Sequence, residues 1–167
     1  MTDWYKSLAA TVNAHEQAKV EKRDRVKLLR ELAGTEGQQL WQQVRTAVKE
    51  STDGFNGDLT PNHPLRIAIA SSDVNNLELR AGARVVLVEA YFDSEGRSFL
   101  EYRADTSDAA RSAVGKRITF ELSDTHALTF VAALKGEQVV LSPSDVAQII
   151  VTSLFPFAGE ATTAAHP

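Results

Sequence analysis

A chain of 167 residues, 43% hydrophobic and 24% charged, is long enough to bury one core and too apolar to be disordered throughout. The absence of cysteine excludes disulfides, a thiol nucleophile and any thiolate-held zinc or iron–sulfur centre. The net charge of −4 is unevenly shared: residues 1–50 hold nine Lys/Arg against seven Asp/Glu, residues 51–167 nine against fifteen. That split is compatible with a basic helix that binds a partner, although a difference this small is more often incidental.

Residues 1–33 read as helix, with one apolar stripe at Trp4, Tyr5, Leu8 and Val12 and another at Val26, Leu29, Leu32 and Ala33. The polar run KVEKRDRVK lies between them. Spacing from Leu8 passes through Val12, His15, Lys19, Lys22, Val26, Leu29 and Ala33, a heptad seam with cations at its middle. A helix of about 30 residues is about 45 Å long, more than the roughly 40 Å expected across a compact domain of this size. The helix is therefore expected to project, to bend at its charged middle or to pack against a second copy. Gly34 reads as a helix stop, and Thr35 with Gln38 as the capping box of a second helix over Glu36–Ser51. That helix carries Leu40, Trp41, Val44, Ala47 and Val48 on its core stripe, and both Trp4 and Trp41 are read as packing residues. Asp53–Pro64, rich in Gly, Asn, Asp and Pro, is read as a loop, with Phe55 tucked beneath it.

From Leu65 the apolar period becomes two. Leu65, Ile67 and Ile69 predict a first strand, and Leu77–Arg80, Arg84–Phe92, Arg97–Ala104, Lys116–Leu122, Ala127–Leu134 and Glu137–Leu141 predict six more. Arg84–Phe92 is apolar on both sides, which predicts a central strand covered on both faces. Asp105–Val114 reads as a turn or two of helix capped by Thr106 or Ser107. A two-residue turn at Lys135-Gly136 sets Phe130 opposite Leu141, and a three-residue loop, Asp124-Thr125-His126, sets Phe120 opposite Phe130. At the C-terminal side, Ser142, Pro143 and Asp145 open a helix through Val146, Ile149, Ile150, Val151 and Leu154. Apolar nearly all round, it is expected to be buried against the sheet, and it is too short to span a membrane. The expected fold is α+β: an N-terminal helical hairpin over residues 1–52, then over 65–157 a curved antiparallel sheet of six to seven strands packed on a buried C-terminal helix. Residues 158–167 read as a flexible tail.

Only one constellation suggests chemistry. An even loop between the two central strands places Leu87, Glu89, Tyr91, Leu100 and Tyr102 on one face. Val86, Val88, Ala90, Phe92, Phe99, Glu101 and Arg103 then share the other. Glu89 would sit among apolar neighbours within reach of Tyr91 and Tyr102, a setting that suits a general acid/base or the polar anchor of a ligand pocket. The plainer reading leaves Glu89 partly solvated near the strand end, and makes Glu101 and Arg103 a surface ion pair. His15, His63, His126 and His166 lack metal-ligand spacing, and no phosphate-binding loop or nucleophile elbow is present. Lys19, Lys22, Arg23 and Arg30 share one side of the first helix and are candidate partner-binding residues. Glu21 and Asp24 interrupt them, no aromatic is interleaved and the chain is acidic, so no nucleic-acid partner is expected.

Three functions remain open. The leading one is a cytoplasmic, non-enzymatic binding or adaptor protein that dimerises or meets a protein partner through its long N-terminal helix. The second is a carrier of a small apolar ligand, held between sheet and C-terminal helix with Glu89, Tyr91 and Tyr102 as anchors. The third is a cofactor-independent enzyme using Glu89. No metal, cofactor, leader or membrane span is expected from the sequence.

Overall fold

The computed structural model describes residues 4–92, 98–106, 109–110 and 112–157. A single helix, α1, runs from Trp4 to Gly57 over 54 residues, and at about 1.5 Å per residue it is roughly 80 Å long. Its buried side follows Ala33, Gly37, Trp41, Val44, Val48 and Thr52, a three-and-four spacing that keeps one stripe on the core. The expected helical hairpin is therefore absent. Gly34 and Thr35 lie inside the helix, and the Thr35 hydroxyl donates back to the Glu31 carbonyl at 3.2 Å instead of capping a new one. An interior glycine costs about 1 kcal/mol of helix propensity, less than one buried Val or Leu side chain contributes, at about 1.5–3 kcal/mol. With Ala33 buried just before the signal and Gly37 and Trp41 just after it, a break would sacrifice more than it saves. The helix also takes in Asp53–Gly57, expected as a loop, and Phe55 packs tilted against Phe155 with ring centroids 5.0 Å apart.

The two glycines near the supposed break differ in kind. A β-carbon at Gly37 would come within 3.0 Å of the Phe92 ring, so this glycine lets α1 lie close to the sheet. A β-carbon at Gly34 would meet no other part of the protein within 4 Å. Gly34→Ala is accordingly expected to raise stability by about 0.5–1 kcal/mol, read as a higher urea midpoint. A left-handed cap at Gly34 would make the same change destabilising, so the sign tests the continuous helix.

The sheet has seven antiparallel strands in the order of the chain: β1 Ala68–Ser72, β2 Asn76–Ala81, β3 Arg84–Phe92, β4 Ser98–Thr106, β5 Lys116–Leu122, β6 Leu128–Leu134 and β7 Glu137–Leu141. Both hairpins registered from sequence are present as expected. Leu134 faces Glu137 and Phe130 faces Leu141 across Lys135-Gly136, whose φ values of 52° and 87° suit a primed two-residue turn. Phe120 faces Phe130 and Leu122 faces Leu128, with exposed His126 in the left-handed region at φ 62°. Between β4 and β5 the described residues form turns and not the expected helix. The amides of Ala109 and Ala110 both donate to the Thr106 carbonyl, and Ser107 lies outside the described residues.

The second helix, α2, spans Pro143–Thr152 and opens with the expected capping box: the Asp145 amide donates to the Ser142 hydroxyl, and the Ser142 amide to the Asp145 carboxylate. It lies against α1 and touches β3 and β7, with Val146, Ala147 and Ile150 fully buried. The core thus fills the space between one face of the sheet and the two helices. On that face β3 contributes Val86, Val88 and Ala90. The opposite face of β3 is not covered as expected: Val85 is buried there, whereas Leu87 and Glu89 are half-buried and Tyr91 is exposed. Among the described residues no helix is long and apolar enough to cross a membrane.

Candidate functional site

Register decides what becomes of the glutamate–tyrosine trio. Phe92 pairs with Ser98, Ala90 with Leu100, Val88 with Tyr102 and Glu89 with Glu101. Five residues separate Phe92 from Ser98, and this odd number reverses the facial sorting that an even loop would give. Residues 93–97, which include the expected turn, lie outside the described residues. Leu100 and Tyr102 consequently face the core, where burial pushes the Tyr102 phenol up. Glu89 and Tyr91 stand on the outer face with Glu101 and Arg103. The three expected anchors therefore do not meet.

What the outer face holds is an ion-pair network. The Glu101 side chain is only 11% exposed and accepts from Arg103 at one carboxylate oxygen and from the Arg117 Nε, 3.1 Å away, at the other. Arg103 first, and then Arg117, hold this carboxyl below its usual range against the opposing effect of burial. A β-carbon at Gly115 would fall within 2.6 Å of the Glu101 carboxyl group, so the glycine makes room for it. Glu89, 41% exposed, accepts from the Tyr91 hydroxyl at 2.7 Å and lies 3.6 Å from Arg103. That bond pushes the Tyr91 phenol up. Phe99 stacks on Tyr91 at 4.7 Å and lies under the Arg117 guanidinium at 4.4 Å. Glu101 is charge-paired with Arg103 and Arg117, and Glu89 is bonded to the Tyr91 phenol on a partly exposed face.

The larger feature is the first part of α1. Residues 4–27 are exposed without exception. Trp4, expected to pack, is 70% exposed, and Tyr5, Leu8, Val12 and Val20 are uncovered as well. The stripe buried from Ala33 onward is the same seam that continues back through Val26 and Lys22, at the edge of the sheet, to Lys19, His15, Val12 and Leu8, which are exposed among the described residues. Of the candidate partner-binding cations, Lys19 is paired with Glu16 at 2.8 Å. Lys22, Arg23 and Arg30 have no ion pair among the described residues.

Where α1 leaves the sheet, a groove of about 700 Å³ opens between Lys22–Leu29 and strands β4 and β5. Val26, Leu29, Phe99, Phe120 and Leu122 give it apolar walls, and Lys22, Arg25 and Arg117 line it too. Arg25 reaches across to donate to the Leu122 carbonyl. Ser98, a residue 6% exposed, is also among the lining residues, and its buried hydroxyl has no hydrogen-bond partner among the described residues. No sequence signal marks this groove, because its walls come from elements roughly seventy to a hundred residues apart. The space expected for a ligand between sheet and C-terminal helix is occupied by Val146, Ile150 and Leu154, all fully buried. Glu89 instead borders a smaller groove of about 430 Å³ with Asp73, Glu78 and Arg103. No group of three or more potential metal ligands occurs among the described residues. Compared with known proteins, the chain matches no family model, no curated protein and no solved structure.

Proposed function

We propose that this chain is a non-enzymatic binding protein that pairs with a second copy of itself through the projecting part of α1. The observation that carries the proposal is the uncovered seam, continuous with the stripe the same helix buries against its own sheet. Helices in proteins owe their stability mostly to a covered apolar face and less to intrinsic propensity. Among the described residues nothing covers Leu8 and Val12, whereas a second α1 would. Polar residues within such a seam, here His15, Lys19 and Lys22, lower the stability of a coiled pair and select its register.

Sedimentation equilibrium tests the reading. The full chain is expected to sediment as a dimer, and the double variant Leu8→Glu/Val12→Glu as a folded monomer. At about 1.5–3 kcal/mol per buried apolar side chain, the two changes are expected to weaken pairing by a hundredfold or more. Both positions are exposed in the single chain, so circular dichroism should show the fold retained. A wild-type chain that stays monomeric at high micromolar concentration would refute self-pairing.

A further inference from the structure

We infer that the two copies pair antiparallel about Gln17, so that Trp4, Tyr5 and Leu8 of each occupy the groove at the root of the other's helix. The inference rests on the self-pairing reading and adds to it a register and an occupied site.

The seam itself supplies the register. Tyr5, Leu8, Val12, His15, Lys19, Lys22, Val26 and Leu29 alternate steps of three and four, and the pattern is symmetric about residue 17. Antiparallel pairing there sets Tyr5 opposite Leu29, Leu8 opposite Val26, Val12 opposite Lys22 and His15 opposite Lys19. Parallel pairing would stack Lys19 on Lys19 and Lys22 on Lys22, like charges at close quarters. In the antiparallel arrangement each Lys22 stem lies along an apolar Val12 and keeps its ammonium in water.

The structure places the groove where this register delivers the partner's aromatic end. Leu29, Val26 and Lys22 are the residues opposite Tyr5, Leu8 and Val12, and all three line the groove. Its apolar walls match the exposed rings of Trp4 and Tyr5, and its cations are of the kind that settle on aromatic faces. Ser98 provides a buried hydroxyl without a partner among the described residues, and the indole N–H and phenol O–H bring polar groups that need one when buried. The groove is thus incomplete in one copy and is filled by the other.

The chain contains no cysteine, so engineered pairs report the register directly. Leu8→Cys/Val26→Cys is expected to form doubly linked dimers on mild oxidation, severalfold more than either single variant. Val12→Cys/Lys22→Cys should do the same at two positions whose exposure removes any question of folding. If the wild-type chain sediments as a dimer, efficient cross-linking by Leu8→Cys alone would overturn the antiparallel register and leave self-pairing standing. A chain that sediments as a monomer would overturn both. Dimers in which neither double variant links would also overturn the proposed register.

Discussion

Trp41→Ala is expected to lower the unfolding free energy by about 3–5 kcal/mol, the range for deleting a buried tryptophan. Trp41 is 1% exposed and belongs to the same core as Val44 and Val48 on α1 and Val146 and Ile150 on α2. Its indole N–H also donates to the Val74 carbonyl at 2.8 Å, tying α1 to the segment between β1 and β2. Because Val74 is itself exposed, its carbonyl can turn to water in the variant, and most of the cost is the cavity. Trp41→Phe should retain much of the stability, and what it still loses measures the hydrogen bond together with the smaller ring. Urea denaturation followed by circular dichroism decides the matter, and a cost below about 1 kcal/mol would contradict the core position. Trp4→Ala is expected to change the stability of a single chain by less than about 0.5 kcal/mol. The two tryptophans therefore separate folding from the proposed pairing.

Glu101→Gln is expected to cost about 2 kcal/mol at neutral pH, within the range for hydrogen bonds to charged groups. The glutamine keeps the shape and loses the charge on which Arg103 and Arg117 converge. The estimate sits below that for a fully buried pair because Arg117 is largely exposed and screened. The pH dependence follows from the direction of the shift. The folded protein holds this carboxyl below its usual range, through Arg103 first, so it binds the proton less readily than the unfolded chain does. The stabilisation is fully present above the ordinary carboxylate range. It declines as pH falls through that range and is gone below the depressed folded value. The difference between wild type and variant should therefore shrink on acidification. A difference that stays constant from neutral pH into strong acid would show that Glu101 acts by packing alone.

Where sequence was sufficient, the determinant was local. Lys135-Gly136 selects a primed two-residue turn because a glycine sits where φ must be positive, and the apolar residues of β6 and β7 match in only one register. Ser142 and Asp145 start α2 because each satisfies the other's amide. Period-two alternation marks the strands, although the first, expected from Leu65, begins only at Ala68 with Leu65 in a turn, and the heptad seam of α1 is legible in residue spacing alone. The length and exposure of that seam are not.

Tertiary structure decided the rest, each time because a larger or more distant term outweighed a local one. Gly34 and Thr35 carry a true stop signal, yet burial of Ala33, Gly37 and Trp41 on either side holds the helix straight through it. Glu89 and Tyr102 are separated by the parity of a single loop, which alternation within each strand does not reveal, and one residue more or fewer would have placed them together. The groove at Val26 and Leu29 exists only because α1 departs from strands that begin some seventy residues later in the chain. Propensity and pattern are properties of neighbours in sequence, whereas register, continuity of a helix and the space between layers depend on which distant surfaces are buried together.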